Sequence, residues 1–136
     1  MKRIEEQARR LDLEYQEIAQ LFDQFCQQAG TLAEQYHFFN WPDYEDTPPL
    51  ARAFTLLGEP RELRLRCQPG ERGSLSGLIQ VCGEEGSIHA SLGFRADGHL
   101  LLESGRLLDN PPELLLKLLL GAIWQHKPED VQGQPH

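Results

Sequence analysis

No stretch of this chain is long and apolar enough to read as a membrane span. The most apolar run, 114–124, is interrupted by Lys117. At about 1.5 Å per residue it falls well short of a ~30 Å hydrocarbon core. The opening residues, MKRIEEQARR, lack the apolar segment of a secretory signal. Both absences lead to the expectation of a cytoplasmic protein without a membrane partner. Positive charge is scarce too: 13 Lys and Arg stand against 21 Asp and Glu, a formal net charge of −8. Nucleic-acid binders need a basic stripe to displace counterions. The small clusters at Arg9–Arg10 and at Arg61, Arg64 and Arg66 lie among carboxylates, so nucleic acid is not expected as a partner.

Cysteine is sparse and unpaired. Cys26, Cys67 and Cys82 are an odd number at wide spacings, which excludes a disulfide framework and the C-x-x-C pairs of zinc and redox sites. They read as small buried hydrophobes in a reducing compartment. His37, His89, His99, His126 and His136 show no i, i+4 or H-x-H spacing, so no metal site is assigned. G-x-G-x-x-G, the P-loop, H-E-x-x-H and G-x-S-x-G are all missing. No cofactor is expected. One constellation can be drawn as base, nucleophile and orienter: His89, Ser91 and Glu103, which share a predicted sheet face. A flat sheet face offers no pocket, and polar side chains are what a wet face requires. No catalytic residue is assigned.

What the chain does have is a helical seam. Ile4, Leu11, Ile18, Phe25 and Leu32 recur every seven residues, and Ala8, Tyr15, Phe22, Ala29 and Tyr36 form an interleaved series. Together they make an a/d heptad stripe across residues 3–36, flanked by Glu, Gln, Arg and Asp. Gly30 is its one weak point, costing about 1 kcal/mol against Ala in a helix interior. Such a helix reaches roughly 50 Å, whereas a domain of this size has a radius of gyration of about 14 Å. Three outcomes are open: the helix overhangs the domain, pairs with another chain, or breaks near Gly30–Thr31.

Residues 37–60 form an aromatic connector with His37, Phe38, Phe39, Trp41 and Tyr44, followed by Asp46-Thr47-Pro48-Pro49. The rings either fold back over the core or present a docking surface, since Trp and Tyr concentrate at interaction hot spots. Asp43, Glu45 and Asp46 beside them suit a basic partner segment. Asp46 or Thr47 can cap a short helix with Leu50, Ala53, Phe54 and Leu57 on one face, ended by Gly58 and Pro60.

The period then changes to two. Leu63, Leu65 and Cys67 alternate with Arg64, Arg66 and Gln68, and later runs repeat the pattern with turn residues between them. This predicts a four-stranded antiparallel meander over 62–68, 74–82, 87–95 and 99–105. A three-residue loop at Ala96-Asp97-Gly98 sets Leu100 opposite Phe94 and Leu102 opposite Leu92. Asn110, Pro111 and Glu113 then form the capped start of a Leu-rich helix over 109–126. Its apolar residues leave little polar face, so it is expected to be buried nearly all round. Leu65, Ile79, Leu92, Leu102, Leu116 and Leu120 are the expected core.

The fold class is therefore α+β. A single domain spans 1–126: a long helix at 1–36, the connector with its short helix at 37–60, the meander at 61–108 and the C-terminal helix at 109–126. A flexible tail follows at 127–136. Function is expected to be non-enzymatic protein–protein interaction, as an adaptor, assembly factor, chaperone or regulator. Leu11, Tyr15, Ile18, Phe22, Phe38, Phe39, Trp41 and Tyr44 are the candidate partner-binding residues. A homodimer, or a stable heteromeric partner, is expected to cover the seam, and a partner with a basic segment would suit the aromatic connector. The competing reading is a small-molecule or enzymatic domain with a pocket between sheet and helices.

Overall fold

The heptad stripe winds Lys2–Gly30 into one helix of 29 residues, α1, about 43 Å long. The computed structural model describes residues 2–41, 50–70 and 73–125. Tyr44, the expected cap at Asp46 or Thr47, and the expected tail at 127–136 lie outside the described residues. At Gly30 the helix does not break; it tightens into a 3₁₀ turn over Thr31–Glu34, with Gly30 still right-handed. The stripe carries through the change, and Leu32 is buried like Ala29 before it.

Five strands follow: β1 (Phe39–Asn40), β2 (Ala51–Leu56), β3 (Glu59–Pro69), β4 (Leu75–Cys82) and β5 (Ile88–Arg95). They form one antiparallel sheet in sequential order. The last element is α2 (Pro111–Gln125). Its start is capped by Asn110, whose Oδ1 accepts from the Glu113 backbone N–H at 3.5 Å and whose side-chain amide donates to Glu113 Oε1 at 3.1 Å. Both helices lie on the same sheet face, α1 over β3 and β4, α2 over β4 and β5, and they touch each other. Between them and the sheet sit Ile18, Phe22, Phe25, Leu63, Leu65, Ile79, Val81, Phe94, Leu115 and Leu119. No helix among the described residues is long and apolar enough to cross a membrane.

Two expectations about the sheet need correction. The segment expected as a short helix is a strand instead. Its burial alternates, with Arg52, Phe54 and Leu56 inside. The period of two is hard to see because its first inward position is an arginine. Arg52 is buried because its guanidinium donates to Asp23 Oδ1 at 2.7 Å and to the Ala51 carbonyl at 3.0 Å, and lies 5.5 Å from the Phe22 ring centre. The strand reverses at Leu57-Gly58, a two-residue turn with φ of 54° and 81° between the paired Leu56 and Glu59. Positive φ at both positions is the type I′ geometry.

The second correction concerns 99–105, which is not a strand. The three-residue loop sets Leu100 against Phe94 as expected, with Gly98 at φ 94°. The chain then turns on itself: the Leu100 N–H donates to the Gly105 carbonyl at 3.0 Å, and His99 bridges Arg106. Leu102 ends at the tip of this turn, 96 % exposed rather than opposite Leu92. The core position expected of it is filled by Leu107, which is fully buried. Leu120, also expected inside, is exposed on the outer side of α2 together with Trp124. Only the inner side of α2 meets the sheet and α1. Leu65 and Ile79 are buried as expected, and Leu92 and Leu116 are half-buried.

Where α1 crosses β4, Gly77 is essential. A Cβ there would lie 2.7 Å from the Phe94 ring and 2.8 Å from Ile18 Cγ2. Gly77→Ala is expected to destabilise the fold by about 1–3 kcal/mol, since neither neighbour has room to retreat. Leu57→Asn should act in the opposite direction. Leu57 is exposed, and a leucine in the left-handed region costs roughly 1–2 kcal/mol, while Asn is tolerated there. Chemical denaturation of the two variants should give midpoint shifts of opposite sign.

Candidate functional site

The seam that builds the core also leaves it. From Ile18 onwards its members are covered by the sheet and α2: Ile18, Phe22, Phe25 and Ala29 are fully buried. Ahead of Ile18 the same stripe is open. Ile4 is 62 % exposed, Leu11 45 % and Tyr15 39 %, and Ala8 between them is exposed as well. The helix is fastened to the sheet where the covered and open parts of the seam meet. The Leu75 backbone N–H, at the tip of the β3–β4 hairpin, donates to Glu14 Oε1 at 2.9 Å. Glu14 also faces Arg10 one turn back, at 3.9 Å. Beyond that anchor about three turns of helix project past the sheet.

The structure thus divides the candidate partner-binding residues. Leu11 and Tyr15 are on the open part of the seam. Ile18 and Phe22, one turn and two turns further on, are inside the chain's own core and are not on offer to a partner. Phe39 is buried as the β1 residue opposite Leu56. Phe38 stacks edge-on against it with ring centres 5.1 Å apart, and Trp41 tilts over Phe54 at 5.4 Å while its indole lies against Gly30. The described part of the aromatic connector therefore closes one end of the core. Ile4 and Ala8 belong with Leu11 and Tyr15. The heptad period contains all four, and what separates them from Ile18 is where the sheet ends.

A second feature lies on the far side of the molecule. A half-open cleft of about 420 Å³ separates the outer edge of β5 from α2, lined by Ile88, His89, Ala90, Ser91, Leu92, Glu103, Leu114, Lys117, Leu118 and Gly121. It exists because the segment after β5 leaves the edge at Leu100–Leu101. The Leu101 N–H donates to the Gly93 carbonyl at 3.0 Å, and beyond that point the edge is not covered by a strand. His89, Ser91 and Glu103, grouped by register alone, do line one cleft. Their side chains are otherwise engaged. His89 Nε2 is 3.0 Å from the Ser87 hydroxyl, and Glu103 pairs with Lys117 at 3.5 Å. No hydrogen bond joins Ser91 to His89 or Glu103 among the described residues. A nucleophile needs its base within hydrogen-bond reach, and that contact is missing.

The titratable groups tell the same story. Burial pushes the Cys26 thiol up to about 12, against a smaller opposing pull from Arg52. Burial also raises Cys67 and Cys82. Thiols shifted upward stay protonated and unreactive at neutral pH. Asp97 moves the other way: the backbone N–H of His99 holds its carboxyl well below the usual range, against desolvation by burial, and Arg95 adds to the lowering. Both contacts fix the loop after β5, and Arg106 closes it by donating to the Asp97 carbonyl at 2.8 Å. Among the described residues no three His, Cys, Asp or Glu side chains converge on a point that could hold a metal ion.

Two outcomes follow. In the native protein at pH 7.5, iodoacetamide should leave Cys26 unmodified until the chain is unfolded, as read by peptide mass mapping. For Asp97 the folded-state pKa is depressed, so its stabilisation is present above the unfolded value of about 3.9 and is lost as pH falls below it. Asp97→Asn should therefore flatten the decline in stability below about pH 4; an unchanged acid profile would mean the loop contacts do not persist in solution. Compared with known proteins, this chain matches no family model, no curated protein and no solved structure, so its function is argued from its own residues.

Proposed function

We propose that this protein is a non-enzymatic interaction module, an adaptor, assembly factor, chaperone or regulator, whose docking element is the projecting part of α1. One observation carries the reading: a continuous heptad seam is buried by the fold from Ile18 onwards and is open at Ile4, Ala8, Leu11 and Tyr15. Exposed apolar residues scattered singly need no explanation, but a row of them at heptad spacing along one helix is a prepared surface. The inert thiols, the separated His89 and Ser91, and the ion-paired Glu103 fit a protein that holds other proteins rather than transforms a substrate. A homodimer formed through this seam remains one of the ways it can be covered.

The cleft beside β5 supports a second reading, a small-molecule site between sheet and helix. Its volume of about 420 Å³ falls in the range of ligand pockets, roughly 300–1,000 Å³. Its openness and its self-paired charges place it behind the seam.

The docking role is tested by a photo-crosslinking side chain introduced at position 11 and, separately, at position 13, whose Leu13 is 58 % exposed on the opposite side of the helix. In the native cell, position 11 should give a discrete adduct with another chain and position 13 should not. Equal labelling from both positions, or none from either, would remove α1 as the docking element.

A further inference from the structure

The charges beside the open seam say what kind of partner fits it. In the heptad frame Ile4 and Leu11 are d positions, and Ala8 and Tyr15 are a positions. The flanking e and g positions are then Glu5, Gln7, Asp12 and Glu14. Three of the four are acidic and none is basic. Glu5, Gln7 and Asp12 are exposed, and Asp12 is held in place by Gln16, whose side-chain amide donates to Asp12 Oδ2 at 2.7 Å. Arg3, Arg9 and Arg10 fall at b and c positions, outside the border, and Arg10 lies 3.9 Å from Glu14. Residues at e and g decide which helix pairs with which, because they meet their counterparts across the seam.

A second copy of this chain meets that border badly. In an antiparallel pair e faces e and g faces g, which sets Glu5 against Asp12 and Gln7 against Glu14, so one side repels and neither forms an ion pair. In a parallel pair g faces the next e, which sets Gln7 against Asp12 and forms no ion pair. The open seam is also only about two heptads long, less than the three to four that self-sufficient coiled coils use. Opposite charge on a different chain suits the border better.

Resting on the docking role of α1, we infer that the occupant is an amphipathic helical segment of another protein, with an apolar a/d stripe bordered by Lys or Arg. Its apolar side chains lie over Ile4, Ala8, Leu11 and Tyr15, and its cations meet Glu5, Asp12 and Glu14. The apolar contact supplies most of the binding and the charges supply selection, so the preference weakens with salt.

Two labelled peptides of about three heptads test this, both with Leu at a and d. One carries Lys and the other Glu at e and g. Fluorescence anisotropy with the full chain at low salt should show the Lys peptide binding about tenfold or more tighter than the Glu peptide. The gap should shrink as salt is raised. Leu11→Glu combined with Tyr15→Glu should abolish binding of the Lys peptide without lowering the melting temperature, and Leu13→Glu should leave binding intact. Equal affinity for the two peptides, binding to neither, or binding that survives the double variant would overturn the proposal. So would a stable dimer of the chain alone, by sedimentation equilibrium, that Leu11→Glu dissociates. If the peptides fail while the native adduct at position 11 persists, the basic-helix occupant is wrong and the docking role stands.

Discussion

Everything in this fold leans on the contact between one face of α1 and the middle of the sheet. Ile18 meets β4 at Gly77, where the absence of a side chain lets the helix and the Phe94 ring share one site. Phe22 and Phe25 continue the contact, and α2 closes the remaining side with Leu115 and Leu119. Each of these large side chains is worth roughly 1.5–3 kcal/mol when taken out of water. A single row of a/d residues therefore organises both helices over one sheet face. The opposite face keeps Arg64, Arg66, Ser91 and Arg95 in solvent, as an antiparallel sheet with one wet side allows.

That contact also sets a limit. The strands under α1 end at the β3–β4 hairpin tip, and α1 runs on beyond it. Past the β3–β4 tip, where Glu14 receives the Leu75 N–H, there is no strand left for the seam to lie on. The projecting turns could not be kept in place by propensity alone, because isolated helices this short are marginal in water. They persist as an extension of a helix already nucleated against the core. The open surface is thus a continuation of the buried part of the same seam, already helical where a partner would meet it.

Much of the architecture was legible in the residues, and the failures have identifiable causes. The period of seven, the Asn110–Glu113 cap and the alternation in β3, β4 and β5 each express one physical rule without interference. β2 was hidden because a buried ion pair put Arg52 at an inward position, and β1 because two residues carry no period at all. The run 99–105 alternates like a strand, yet Gly98 and Gly105, with φ of 94° and 99°, let it close on itself instead. Leu102 was exposed as a result, and the cleft beside β5 opened where a further strand would have lain. For the candidate site the limit is of another kind. Periodicity identifies which residues share a helix face, but it carries no information about where the covering sheet stops. Leu11 and Ile18 look alike in the sequence, and only tertiary structure separates a surface residue from a core residue.

Glu14 joins the two halves of the argument. As a g-position residue it borders the open seam, and as an acceptor for Leu75 it fastens the helix to the hairpin tip. Its carboxylate is mostly shielded, with 20 % of the side chain exposed, and Arg10 stands 3.9 Å away. A group in that position has less free charge to give a partner than Glu5 or Asp12, which are open to solvent. Selection by charge should accordingly be graded along the helix, weakest next to the sheet and stronger at Asp12 and Glu5. Apolar contact runs the other way, because Tyr15 sits beside the turn that Glu14 fastens while Ile4 lies about three turns from it. A docked helix would be gripped by apolar contact near the sheet and chosen by charge further out, two demands that one heptad pattern meets at different points along its length.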